Sequence, residues 1–393
     1  MEIKLNWPSR GHSYLNEEIN AIGSYLLDSS LPLTQSENVK SFEHDFGNYS
    51  GIKYCLSTMS AAHALDICGI LTCSNDDTEI IIPAHTYCAS ALGFARYGAK
   101  IKWADINSDS FTISLSSIKD LVTENTKAIV VVHLYGLICP EINDIVKFAK
   151  EKGILVIEDC AQSLGAELNG IKSGGFGDIA VFSFHAQKNL TLLGEGGMIT
   201  TNNKFYYDKI LGLRINGHKP FVDQVNYWKP AMINVDQDQV GYWPIKSSLT
   251  EAQGLLGSLL LKRLISLTKK RRDYSLLIRK ELEEFKELKF QKIYDENSHS
   301  HHLLPAFCKS KKWNRDDLIE ELYNNYGIKS IVQFYPLNRY DLFKKNNLTQ
   351  ANIPNTDYFF DNMISFPFSA IFSEKDIKYL ISSIKSAINS LNK

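Results

Sequence analysis

Residues 153–166, GILVIEDCAQSLGA, decide the fold. A glycine releases a short aliphatic run, and the run stops at two acids, Glu158 and Asp159, followed by small residues and Gln162. An unbroken apolar run bounded in this way reads as a strand buried on both faces, the condition of a parallel sheet covered by helices. Carboxylates at the carboxyl end of such a strand point into the crevice where open α/β sheets bind ligands. A helix-capping role for the aspartate is the plainer alternative.

Working outward, similar runs occur at 52–56, 79–82, 100–104, 128–133 and 179–184. Between and before them, helical spacing recurs at 13–27, 39–46, 61–70, 115–122 and 141–152. Strands alternating with helices imply right-handed crossovers and a mostly parallel sheet in an α/β fold. Residues 201–245 read as irregular and rich in aromatics, and Leu249 to Ile278 as one long helix whose basic run KKRRD (269–273) forms a solvated face. Beyond 280 the spacing predicts strands at 291–294, 303–308 and 328–334 and helices at 315–326 and 374–388, a smaller α+β unit. The expected division is a large domain over 1–248 and a linking helix with a small domain over 249–393.

Composition narrows the function classes. Lys and Arg number 43 against 44 Asp and Glu, a net charge of −1, so no general basicity points to nucleic acid. No run approaches the length of a membrane-spanning helix, and the opening MEIKLNWPSRGHSYLNEE has no apolar signal-like core. Seven cysteines, an odd number with no CxxC pair, argue against a disulfide scaffold or structural zinc and for a reduced, cytoplasmic setting.

The second chemical element is DIAVFSFHAQKNLTLLGEGGMIT, 178–200. A strand ends near Phe184, His185, Lys188 and Asn189 occupy the following turn, and Gly194, Gly196 and Gly197 precede a new strand. A lysine in a loop is ordinarily solvated, but one bracketed by buried strands can be desolvated into a nucleophilic amine. An aspartate able to pair with a pyridine nitrogen and a lysine able to form an imine, on two strands of one sheet, are what pyridoxal 5'-phosphate (PLP) requires.

These motifs also resemble the DegT/DnrJ/EryC1/StrS family of PLP-dependent sugar aminotransferases, of the aspartate-aminotransferase fold type I. The resemblance runs through LPLTQSENVKSFEHDFGNY (31–49), IIPAHTY (81–87), ADIN (104–107), VVHLYG (131–136), EDCAQSLGA, SFHAQKNLTLLGEGG, TEAQGLLG (250–257) and IVQFYPL (331–337). It implies a mainly parallel seven-stranded sheet in a large domain, with a smaller α+β domain at the C-terminus. It implies that Lys188 forms the Schiff base, that Asp159 pairs with the ring nitrogen, that Gln162 lies against the phenolic oxygen and that Tyr87 stacks on the ring. Ser183 and the amides of Ser57 and Thr58 would hold the phosphate, and His185 would lie near the substrate or simply pack its turn. Lys246 stands near the position from which relatives reach the neighbouring subunit's phosphate. The implied reaction moves an amino group from glutamate, through pyridoxamine 5'-phosphate, to a keto sugar, with a nucleotide-linked 4-keto or 3-keto hexose favoured over a smaller phosphorylated one. A PLP-dependent sugar dehydratase, which would carry histidine at position 188, and a non-catalytic sugar-binding protein are the rival readings. A homodimer with shared sites is implied, with Tyr227, Trp228, Tyr242 and Trp243 as its aromatic anchors, and neither nucleic acid nor metal is expected.

Overall fold

The computed structural model describes residues 2–73, 77–219, 233–236, 241 and 243–393. Helices α1 (Asn16–Leu27) and α2 (Glu37–Ser50) lead into β1 (Tyr54–Thr58), α3 (Ala61–Thr72), β2 (Glu79–Pro83), α4 (Ala89–Ala95) and β3 (Lys100–Ala104). Then follow α5 (Leu115–Leu121), β4 (Thr126–Val132), α6 (Ile142–Lys152) and β5 (Leu155–Asp159). A two-residue ribbon, β6 (Glu167–Leu168) with β7 (Ile171–Lys172), precedes β8 (Ile179–Ser183) and β9 (Gly197–Thr201).

Seven of these strands form one sheet in the order β1-β9-β8-β5-β4-β2-β3. The four pairs from β8 to β3 are parallel, and β9 runs antiparallel to both β8 and β1. The strands read as continuous apolar runs because each face has its own helical cover. Ile80, Ile82, Val130 and Ile157 pack with Leu65, Ile67 and Phe94 on one side. Ile81, Ile129, Val131 and Val156 pack with Ile142 and Ile145 on the other.

Residues 201–245 are not uniformly irregular. Asn203 accepts the Phe205 amide and starts α7 (Lys204–Arg214), which buries Ile210 and Leu213. A short ribbon, β10 (His218–Lys219) with β11 (Asn234–Val235), follows. The long helix expected over 249–278 is two helices, α8 (Glu251–Leu261) and α9 (Leu264–Glu281). The break falls at Arg263, whose guanidinium is recruited by the buried Glu18 carboxylate at 2.6 Å and by the Ser13 carbonyl. No pattern local to 249–278 announces a partner 245 residues away. The KKRRD run also departs from a solvated face, since Arg271 is only 2% exposed.

The rest of the chain supplies β12 (Leu288–Phe290), β13 (Leu304–Cys308), α10 (Arg315–Tyr326), α11 (Asp341–Lys345), α12 (Pro354–Asn362), β14 (Met363–Phe366) and α13 (Glu374–Leu391). The three strands form an antiparallel sheet. Residues 291–294 and 328–334 are not strands. Gln291 instead spends its side chain on the Ser110 and Leu134 carbonyls, while Ile328 and Ile331 make single bridges to Leu5 and Ser365. The two halves interlock: Leu337, Phe343, Ile353 and Phe359 join the core of the large sheet, and Leu5 joins the C-terminal one. All seven cysteines are free thiols, and among the described residues no helix is long and apolar enough to cross a membrane.

Gly197 sets the spacing on which the site depends. A Cβ there would stand 2.4 Å from the Ser60 carbonyl carbon and 2.6 Å from the Ala61 nitrogen, so only glycine lets β9 run this close to the start of α3. Gly197→Ala must displace backbone rather than a flexible side chain, and should destabilise the fold by about 1–3 kcal/mol. Chemical unfolding followed by circular dichroism checks this, and an unchanged midpoint would show that α3 shifts freely.

Candidate active site

A cavity of about 560 Å³ opens at the carboxyl ends of β2, β5 and β8. Its wall brings together Tyr87, Asp159, Gln162, Ser183, His185 and Lys188. These six come from three separate strand ends, as expected of a ligand site in an open sheet.

Strand alternation separates the two acids of β5. Glu158 is fully buried and accepts from His133 Nε2 at 2.8 Å and from the amides of Gly174, Phe176 and Gly177. His133 Nδ1 accepts the Cys139 amide, which leaves the proton on Nε2. His133, Glu158 and Cys160 lie within metal-ligand reach of one another, but the acceptors of the first two are already engaged, and burial holds the Cys160 thiol strongly protonated. Glu158 thus braces the loop between β5 and β8. Asp159 is the acid that reaches the cavity. Its Oδ2 accepts from Ser90 Oγ at 2.7 Å and its Oδ1 from the Ala161 amide at 3.1 Å.

Lys188 follows β8 in a turn closed by its own amide bonding to the His185 carbonyl. The backbone of Gly11 presses directly on it, where a Cβ would overlap the Lys188 carbonyl oxygen. Among the described residues no group accepts a hydrogen bond from the Lys188 amine. Burial pushes its pKa down from 10.5 to about 8, partly opposed by the charges of Asp159 and Glu195. Nearby His302 is held by Asn189 at 3.1 Å and stays neutral, because burial and the Lys188 charge both depress it. His185 borders the cavity half-buried, with Nε2 3.9 Å from Glu195. Gln162 gives its carbonyl oxygen to the Tyr135 amide at 2.6 Å, so its NH2 group remains to face a ligand.

Where the cavity meets the start of α3, its wall differs from the expected one. Ser57 and Thr58 do not line the cavity, and the Ser57 amide and hydroxyl both donate to Glu43, at 2.8 and 2.7 Å. The wall is formed instead by Met59, Ser60, Ala61 and Ala62. Ser60 caps α3 by accepting the His63 amide, which leaves the first-turn amides of Ala61 and Ala62 with no intrahelical acceptor. The cavity wall thus begins at Met59 rather than at Ser57. Lys246 is exposed and lies outside the cavity of its own chain, bridging Ile215 through its backbone. Trp243 is 81% exposed, whereas Tyr227, Trp228 and Tyr242 lie outside the described residues.

Sequence reasoning passed over several wall residues, among them Trp7, Pro8, Ser90, Arg271 and Phe334. Most carry no local signal, since each enters the wall from a distant element. Ser90 is the exception, because it stands one helical turn from Thr86 at the start of α4, directly after the IIPAHTY run.

The donors present fit PLP: an amine for its aldehyde, a carboxylate for its ring nitrogen, an amide NH2 for its phenolic oxygen and a helix start for its phosphate. Comparison with known proteins agrees. The model of the DegT/DnrJ/EryC1/StrS aminotransferase family matches residues 14–385. An uncharacterized protein of Methanocaldococcus jannaschii is 30% identical over 97% of this chain and 96% of its own length. The GDP-perosamine synthase of Vibrio cholerae is 28% identical over 92% of this chain and 94% of its own. Among solved structures, PseC of Helicobacter pylori, an aminotransferase involved in the biosynthesis of pseudoaminic acid, superposes with a TM-score of 0.87 at 25% identity, covering 98% of this chain and 99% of its own. The chain belongs to the DegT/DnrJ/EryC1/StrS aminotransferase family and is a PLP-dependent aminotransferase of fold type I.

A pKa near 8 leaves about a tenth of the Lys188 amine neutral at pH 7, against less than about one part in a thousand for an ordinary lysine. In the cofactor-free protein, competitive acetylation of Lys188 should titrate with a midpoint near about 8. Asp159→Asn should move that midpoint lower, because it removes a charge that favours the ammonium form. A midpoint in the ordinary lysine range would show the amine to be hydrated.

Proposed function

We propose that this family member transfers an amino group from L-glutamate to a keto sugar, with a nucleotide-linked 4-keto or 3-keto hexose as the favoured acceptor. The observation that carries the reading is the convergence of the Lys188 amine and the Asp159 carboxylate in one cavity of about 560 Å³. The name of one relative, GDP-perosamine synthase, carries a nucleotide-linked sugar and supports the acceptor class.

When bound, PLP supplies an electrophilic carbon that captures the amine and a ring that takes up electrons released at the neighbouring carbon. Lys188 would anchor the cofactor and, as a free amine, would take the proton from the α-carbon of the donor and deliver one to the sugar carbon in the second half of the reaction. A partly neutral amine at pH 7 suits both roles. Asp159 would keep a proton on the ring nitrogen by charge, and Gln162 would donate to the phenolic oxygen. Tyr87 would stack on the ring, and Ser183 with the amides of Ala61 and Ala62 would hold the phosphate. We place the reaction in the cytoplasm and in a homodimer with shared sites. Leu27, Leu33 and Trp243, at 87%, 60% and 81% exposure, supply apolar surface for the second copy to cover. Lys246, outside its own cavity, would then reach the partner's phosphate.

Lys188→Ala should fold, lose the borohydride-reducible bond to PLP and lose turnover. Asp159→Asn should keep that bond and slow the glutamate half-reaction by at least about a hundredfold. Incubation with glutamate and a panel of nucleotide-linked and phosphorylated keto sugars, read by mass spectrometry, tests the acceptor, and amination of phosphorylated sugars alone would overturn the nucleotide assignment. Mixed dimers of Lys188→Ala and Lys246→Ala should regain one competent site in two. Verified mixed dimers without activity would defeat the sharing.

A further inference from the structure

The hydroxyl that meets Asp159 is itself held by a second hydroxyl. Ser90, on α4, is 1% exposed and reaches Asp159 Oδ2 at 2.7 Å, while Thr86 Oγ1, also buried, lies 3.1 Å from Ser90 Oγ. An ionised carboxylate can only accept, so the single Ser90 proton goes to Asp159. Thr86 must then donate to Ser90, and the chain has one direction, Thr86 to Ser90 to Asp159. The Ala161 amide occupies the other carboxylate oxygen.

Each donor to a carboxylate stabilises its charged form and makes it a weaker acceptor for a further proton. We propose that Ser90, oriented by Thr86, is a positioning residue that keeps Asp159 charged and turned toward the cavity, so that the proton between Asp159 and the cofactor's ring nitrogen stays on the nitrogen. This rests on the reading that Asp159 faces that nitrogen. The relay matters because a more basic Asp159 would draw the proton to itself and leave a neutral ring, which takes up electrons poorly.

The test uses holoenzyme reconstituted with PLP isotope-labelled at the ring nitrogen, whose NMR shift reports protonation independently of turnover. Ser90→Ala should move the resonance toward the deprotonated position and slow the glutamate half-reaction about ten- to a hundredfold. Ser90→Thr, which keeps the hydroxyl, should restore both. Thr86→Val keeps the volume, removes only the donor to Ser90 and should give a smaller change in the same direction, so the idea stays testable if Ser90→Thr does not fold. An unchanged resonance in Ser90→Ala, or equal impairment of a folded Ser90→Thr, overturns the relay. Asp159→Asn separates the two levels: if its resonance does not move, the placement of Asp159 fails, and if only Ser90→Ala is silent, the relay alone fails.

Discussion

Two neighbouring carboxylates at the end of a buried strand cannot share an environment, and the rest of the molecule is arranged around that constraint. Alternation along β5 sends Glu158 to one side of the sheet and Asp159 to the other. On the first side, four donors satisfy Glu158 completely and turn it into the brace of the loop between β5 and β8. On the second, among the described residues Asp159 accepts from one hydroxyl and one amide, which leaves its charge for a ligand. Burying an acid without such partners would be costly. The same strand therefore serves folding with one residue and chemistry with the next.

Lys188 shows the opposite arrangement. Its backbone is fixed by the turn after β8 and by the close passage of Gly11, while among the described residues no group accepts from its amine. Removing water from a cation without returning a partner disfavours the charge, and this brings the amine toward neutrality near physiological pH. The main chain is closely packed while the side chain faces the cavity. Asp159 and Glu195 pull the other way, so the final balance is a partial shift rather than complete neutrality.

Much of this was legible in the sequence because the signals are local. Strands covered on both faces print as unbroken apolar runs, and β3 was bounded correctly from its residues alone. The pairing of EDCAQ with a lysine before GEGG marked Asp159, Gln162 and Lys188, and all three line the cavity. The start of α3 is less legible, because Ser57, Thr58 and Ser60 look alike as small hydroxyl residues and the His63 amide bonding to Ser60 Oγ is what marks the first turn. The break before α9 and the burial of Arg271 were hidden for a different reason. Arg263 is claimed by Glu18, and Arg271 by the carbonyls of Gly11, His301 and His302, all far away in the chain. A basic run reads as solvated until the tertiary structure supplies the oxygens.

The wall of the cavity is drawn from Trp7 near one end of the chain to Phe368 and Ser369 near the other. Arg271 and Ser369 both donate to the Gly11 carbonyl and so tie the N-terminal strap, which lies across Lys188, to segments made much later. A ribosome emits these parts in order, so the lysine is synthesised long before its enclosure can exist. Capture of the cofactor in its finished surroundings must wait until the segment carrying Phe368 and Ser369 has left the exit tunnel. Until then, this amine behaves like any other on a nascent chain.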